Sequence, residues 1–271
     1  MPAEHAWEAE RTRLERAYAR RDAAGVDAVT WSGMRPEAHW LEFSLQRFLF
    51  SSLARQGWIP QTAAHCRLLE VGCGTGRVLR WFYEAGFRLL WGCEVLRWRV
   101  EGAARTTPVA AIMQAEMGSL PFPDDSFDCV VQVVAFSSCL DEGLRRQAAR
   151  EMLRVVRAQG CILWCDVKPR KGEAEYLHGL GRRDLLRLFP GASIQMTCFG
   201  VDPQLLGAFT SLLNQGLFRS LARWVPRLRD SALVGRRPIS KFPQVAAAVL
   251  ERCPWATAYL GAVIRKSSSR S

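Results

Sequence analysis

Little in this chain points to a membrane, an export route or a metal. No stretch approaches the roughly 18 uninterrupted apolar residues of a membrane span. Met1 to Arg21 is charged and helical in pattern, without the apolar centre of a signal peptide. Together these absences set the expectation of a cytoplasmic protein. The 9 cysteines include no C-x-x-C pair and no cysteine–histidine cluster, so no metal site is expected and buried, reduced thiols are. Neither an internal repeat nor a low-complexity segment is present. What the chain does have is 49% hydrophobic residues over 271 positions, enough for one substantial core with additions.

One further absence is informative. Leu68-Leu69-Glu70-Val71 runs as an apolar strand into Gly72-Cys73-Gly74-Thr75-Gly76 and then into the helical pattern Arg77 to Phe82. At such a strand–turn–helix junction the backbone comes closest to a bound nucleotide. The dinucleotide fingerprint G-x-G-x-x-G needs a glycine at position 77, where this chain has Arg77. Glu94 ends a second strand-like stretch from Phe87, the position from which a carboxylate grips ribose hydroxyls. Then come Glu116-Met117-Gly118-Ser119, the segment Leu120-Pro121-Phe122-Pro123-Asp124-Asp125-Ser126-Phe127-Asp128, and an apolar run from Cys129 to Ala135. A charged helix over Leu144–Arg157, a turn at Gln159-Gly160 and a strand over Cys161–Asp166 complete the series. Strand and helix alternate five times over residues 61–168, which predicts a parallel sheet covered on both faces.

This ordered set, over about residues 64–190, resembles the class I S-adenosylmethionine-dependent methyltransferases, in the branch carrying an LPFPDxSFD segment. Phe136 to Asp141, Ile162 to Asp166 and Arg187 to Gly191 look like one bacterial subgroup of that branch. The resemblance implies an α/β fold: a Rossmann-like seven-stranded methyltransferase sheet, mostly parallel with the last strand antiparallel. It also implies an N-terminal helical cap (1–60), a core (61–201), a helical lid inserted between the last two strands (202–256), the final strand (257–266) and a disordered tail (267–271). The implied cofactor is S-adenosyl-L-methionine. Glu70, Gly72, Cys73, Gly74 and Gly76 would line its methionine end, Glu94 and Val95 the ribose, Glu116 the adenine amino group and Met117 the ring. Most relatives use Asp where this chain has Glu116. Gln132, at the end of the fourth strand, is placed to bond the methionine carboxylate or amine, or to serve the structure. Tyr18 is a candidate cover for the methionine end or a core residue. Two candidates could take a proton from an alcohol acceptor. One is Asp166, which otherwise caps the turn after the fifth strand; the other is His178, a loop histidine.

Charge is distributed unevenly. Residues 169–271 carry 16 of the 37 basic side chains but only 6 of the 26 acidic ones. Leu205, Phe209, Leu212, Leu213, Leu217, Leu221 and Trp224 predict an amphipathic lid helix, with Arg219, Arg223 and Arg227 as a basic stripe. The expected partner is a small-molecule, glycan or lipid-linked acceptor, anionic in one version, methylated on oxygen. Peripheral contact with the inner membrane face is the companion expectation. RNA methylation is the competing enzyme class, raised by the net charge of +11. The segment Gln132 to Ser138 carries neither the Asn/Asp-Pro-Pro-aromatic motif of base amino methylation nor the Pro-Cys of cytosine C5 methylation. A scaffold that binds cofactor without catalysis is the third class.

Overall fold

The computed structural model describes residues 2–25, 36–169, 177–201 and 257–266. The expected lid over 202–256, with its arginine stripe, and the tail 267–271 lie outside them. Two long helices come first, α1 (Pro2–Ala23) and α2 (Pro36–Arg55), followed by the single turn α3 (Pro60–Ala63). The alternating part then runs β1 (Arg67–Val71), α4 (Arg77–Glu84), β2 (Leu89–Glu94), α5 (Arg97–Thr106), β3 (Ala111–Gln114) and β4 (Phe127–Val133). It continues through α6 (Glu142–Val155), β5 (Val156–Val167), α7 (Arg182–Leu188), β6 (Ser193–Val201) and β7 (Thr257–Arg265). No helix among the described residues is long and apolar enough to cross a membrane.

The strands form one seven-stranded sheet in the order β3-β2-β1-β4-β5-β7-β6. β1 pairs in parallel with β2 and β4, β5 in parallel with β4, and β7 lies antiparallel to β5. Strands covered on both faces need near-continuous apolar sequence. β1, β4 and β5 supply it, with Leu68, Leu69, Val130, Val131, Ile162, Leu163 and Trp164 all inaccessible to solvent. The chain order reverses between β1 and β4, and ligands of such sheets bind beyond the strand C-termini at that reversal. α4 buries Val78, Leu79 and Phe82, and the Phe82 ring meets Phe50 of α2 and Phe87 edge-on at 5.5 and 5.3 Å. α6 starts where Asp141 accepts a hydrogen bond from the Leu144 amide, and it buries Leu144, Ala148, Ala149, Met152 and Val155. The described cysteines are unbridged thiols, all buried except Cys198.

Two local expectations are corrected. The alternation lacks a helix between β3 and β4, because Gly118, Pro121 and Pro123 cannot sustain one. That segment is held instead by Arg154 of α6, which donates to the carbonyls of Leu120 and Phe122 and pairs with Asp124 and Glu151. Glu151 in turn accepts from the Leu120 amide. The other correction concerns Gln159-Gly160, which is no turn between α6 and the next strand: β5 begins at Val156 and runs through it. Its register against β4 shifts between Phe127 and Cys129. A Cβ on Gly160 would lie 2.7 Å from the Asp128 carbonyl oxygen, so glycine here answers a close approach of two strands.

Candidate active site

The loop after β1 is built for compactness. The amides of Gly72 and Cys73 both donate to the Cys93 carbonyl at 2.9 Å, tying the loop to the end of β2. Gly72, Gly74 and Gly76 have φ of 72°, 55° and 83°, the left-handed region that costs L-residues energy. A Cβ on Gly72 would lie 2.5 Å from the Ala135 Cβ, and one on Gly76 3.0 Å from Ala103 Cα. Gly76 caps α4, and its carbonyl accepts from the Arg80 amide and the Thr107 hydroxyl. Glu70 lies behind the loop, 2% exposed, with a backbone hydrogen bond from Leu79 in the first turn of α4. Burial pushes its carboxyl well above the usual range, against the pull of Arg77 and that amide, and its Oε2 has no partner in the protein. The Cys73 thiol is turned inward, and a Cβ on Gly92 would meet its sulfur at 2.9 Å.

Glu94 closes the other side of this turn. Its Oε2 accepts from the Gly74 amide and its Oε1 from the Leu96 amide, each at 3.0 Å. Burial raises its pKa, and the amides of Leu96 and Gly74 together with Arg99 oppose that shift. Val95 next to it is partly exposed, and its carbonyl accepts from the Gln114 side chain. Glu116 lies 4.0 Å from Arg11 of α1. Met117 is partly buried against Trp7, Cys139 and Leu144. All these residues stand at the C-terminal ends of β1, β2 and β3.

At the ends of β4 and β5 a second polar group is enclosed. Asp166 is inaccessible, and its Oδ2 accepts from Gln132 Nε2 at 3.0 Å and from the Ser137 amide at 3.1 Å. Its Oδ1 takes the Val167 amide at 2.9 Å. Burial pushes the Asp166 carboxyl up to about 6 against these donors. The carboxylate therefore braces the short 3-10 turn Phe136–Ser138 from below. Gln132 is equally buried, with Oε1 lacking a protein partner. Val134, between them, has φ of 56°, a strained conformation for a β-branched residue and of the kind that collects at ligand sites. His178 is exposed and donates its backbone amide to the Ser137 carbonyl at 2.8 Å, which sets it beside the same turn.

Sequence reasoning named a helical cap and Tyr18 as a candidate cover but missed the partners by which α1 meets these loops. α1 crosses three of them. Glu10 accepts from the Leu140 amide, Arg13 donates to the Ser138 carbonyl, and the Tyr18 hydroxyl meets Ser138 Oγ at 2.9 Å. Trp7 donates to Gln147 and covers Gly118, where a Cβ would strike its ring at 2.5 Å. Asp22 accepts from the Trp98 indole and lies 3.5 Å from Arg99. Polar side chains on the inward face of α1 look like a solvated surface until their distant partners are known. What the sequence does carry is Trp7, Leu14 and Tyr18 on one helical face, beside the candidate cover already named at Tyr18.

Residues 69–164, from β1 into β5, match the methyltransferase domain family. The phthiotriol/phenolphthiotriol dimycocerosates methyltransferase 1 of Mycobacterium ulcerans (strain Agy99) is 31% identical over 139 residues, covering 47% of this chain and 49% of that one. Methyltransferase GfsG of Streptomyces halstedii is 30% identical over 115 residues, 40% of either chain. The chain thus spans about half the length, or less, of these curated relatives. A TehB-like S-adenosylmethionine-dependent methyltransferase from Corynebacterium glutamicum shares the fold at 14% identity, with a TM-score of 0.50 over 96% of this chain and 100% of that one.

Proposed function

We propose that this chain, whose residues 69–164 form a class I S-adenosylmethionine-dependent methyltransferase domain, methylates a hydroxyl of a small-molecule, glycan or lipid-linked acceptor. The observation that carries the reading is the tip of β1. Three left-handed glycines lead into a helix N-terminus, and the carboxylate of Glu94 is bonded to the middle one. S-Adenosylmethionine, when bound, supplies a methyl carbon already activated by its sulfonium. The residues fit it: Glu70, Gly72, Cys73, Gly74 and Gly76 for the methionine end, Glu94 and Val95 for the ribose, Glu116 and Met117 for the adenine. Gln132 Oε1, buried without a protein partner, is an acceptor suited to the cofactor's ammonium group.

Because the carbon is already activated, the protein mainly aligns the reactants and excludes water, an effect that can supply about 7–11 kcal/mol of a barrier. α1 closes the loops against solvent. An alcohol acceptor must also lose a proton, and we assign that role to His178, an exposed imidazole that its own backbone amide fixes beside the Phe136–Ser138 turn. Asp166, enclosed beneath the Ser137 turn, acts as a positioning residue: it holds the Ser137 amide, and the Ser137 carbonyl holds His178. Oxygen as the target is supported by the Mycobacterium ulcerans relative, which is named for phthiotriol and phenolphthiotriol dimycocerosates. The test is calorimetric binding of S-adenosylmethionine, then formation of S-adenosylhomocysteine on adding hydroxylated lipids, phenols or glycans. A folded protein that fails to bind S-adenosylmethionine overturns the reading. Turnover on amines alone overturns the oxygen assignment.

A further inference from the structure

The Arg99 side chain lies between the glycine loop after β1 and the covering helix α1, and meets both. It stands in the first turn of α5, five residues beyond Glu94, and is 12% exposed. On the floor, its Nη1 is 3.5 Å from the point where a Cβ of Gly74 would sit, and its charge favours the ionised form of Glu94. On the roof, its guanidinium lies 4.0 Å from the centre of the Tyr18 ring, and its Nη2 is 3.5 Å from Asp22 Oδ1. Tyr18 and Asp22 belong to α1, which also meets Glu116 through Arg11 and Ser138 through Tyr18. A planar cation can stack on an aromatic ring and still present its edges to carboxylates. Arg99 is thus a rivet between α1 and the glycine loop after β1.

We propose that Arg99 is a positioning residue that fastens α1 over the Gly74–Glu94 edge, making closure of α1 and binding of the cofactor one coupled event. Ligand held on Glu94 steadies Arg99; Arg99 steadies Tyr18 and Asp22. Tyr18, through Ser138, carries the closure to the turn on the acceptor side. This deepens the methyltransferase reading and rests on it for the identity of the ligand.

The experiment uses the full chain, with S-adenosylhomocysteine as an unreactive probe, and compares wild type, R99M, R99K and Y18F. Calorimetry gives affinity, and hydrogen exchange followed by mass spectrometry gives the protection of α1 with and without probe. Wild-type α1 should gain protection when the probe binds. R99M should bind about tenfold more weakly and gain little protection, because stacking and charge are lost together. R99K, which keeps the charge near Asp22 but lacks a flat face, should lie between them. Y18F, which removes only the Ser138 contact and keeps the ring under Arg99, should bind like wild type but leave the Phe136–Ser138 turn less protected. The proposal is overturned if R99M and R99K bind like wild type with the same protection of α1, or if wild-type α1 does not respond to the probe. If R99M does not fold, R99K against wild type decides by the same criteria. Failure of the cofactor reading looks different: wild type then binds no probe, yet α1 of the unliganded R99K protein still exchanges faster than wild type, because the Tyr18 stacking was lost.

Discussion

Gly72→Ala is the sharpest test of the loop geometry, because two separate costs meet at one atom. The backbone there has φ of 72°, and a left-handed alanine costs about 1–2 kcal/mol. The added methyl would also sit 2.5 Å from the Cβ of Ala135, far inside contact distance, which adds overpacking of about 1–3 kcal/mol. The single variant should therefore lose about 2–5 kcal/mol of stability. The two costs can be separated. Ala135→Gly removes the obstructing methyl and leaves φ unchanged, so G72A/A135G should recover the overpacking part and keep the backbone part. Urea unfolding of wild type, both single variants and the double gives the coupling, which should be favourable by about 1–3 kcal/mol. Additive single effects, with no recovery in the double variant, would refute the proposed approach of the two loops. The same loop tip should weaken in its grip on S-adenosylmethionine, and calorimetry on the folded double variant reads that directly.

Three further outcomes are expected. Burial raises the Asp166 carboxyl from 3.8 to about 6, so the folded state binds its proton more tightly than the unfolded chain does. Its contribution to stability is then greatest below about pH 4, falls as the pH rises to about 6 and is flat above; the difference between wild type and D166N, from urea midpoints, should shift by about 3 kcal/mol across that window. A difference independent of pH would remove the enclosed carboxylate. Glu94→Ala should weaken S-adenosylmethionine by about 10- to 150-fold, the value of lost charge-assisted hydrogen bonds; a change below threefold in calorimetry would mean that Glu94 serves only the Gly74 and Leu96 amides. Arg154→Met should cost about 2 kcal/mol, or roughly 4–8 °C in Tm, while leaving cofactor affinity alone, since its partners all lie in the 120–124 segment and α6.

How much was legible follows from the range of the interactions. The glycine loop, the strand ending at Glu94 and the apolar runs of β1, β4 and β5 are local patterns, and each stands where its spacing implied. Gly160 misled because a glycine under a neighbouring strand has the same sequence signature as a glycine in a turn. Asp166 was readable as an acid at a strand end. Its enclosure was not, because the turn that covers it carries Ser137, 29 residues earlier. The partners of Arg99 and of α1 were least legible of all: Trp98 and Asp22 are 76 residues apart, and Tyr18 and Ser138 are 120 apart. No periodicity within α1 or α5 encodes such pairs.

The place of β7 in the sheet governs how this protein must be made. β5 ends at Val167, yet its neighbour on that side is β7, whose residues begin at Thr257. β6 lies beyond β7 and has no strand to join until β7 is in place. On a ribosome adding about 5–20 residues per second, the inner edge of β5 waits roughly 5–20 s for its partner. During that interval a long apolar strand offers unpaired backbone groups to any other chain nearby. Synthesis speed and chaperone supply should therefore limit the yield of soluble protein more than the stability of the finished sheet does.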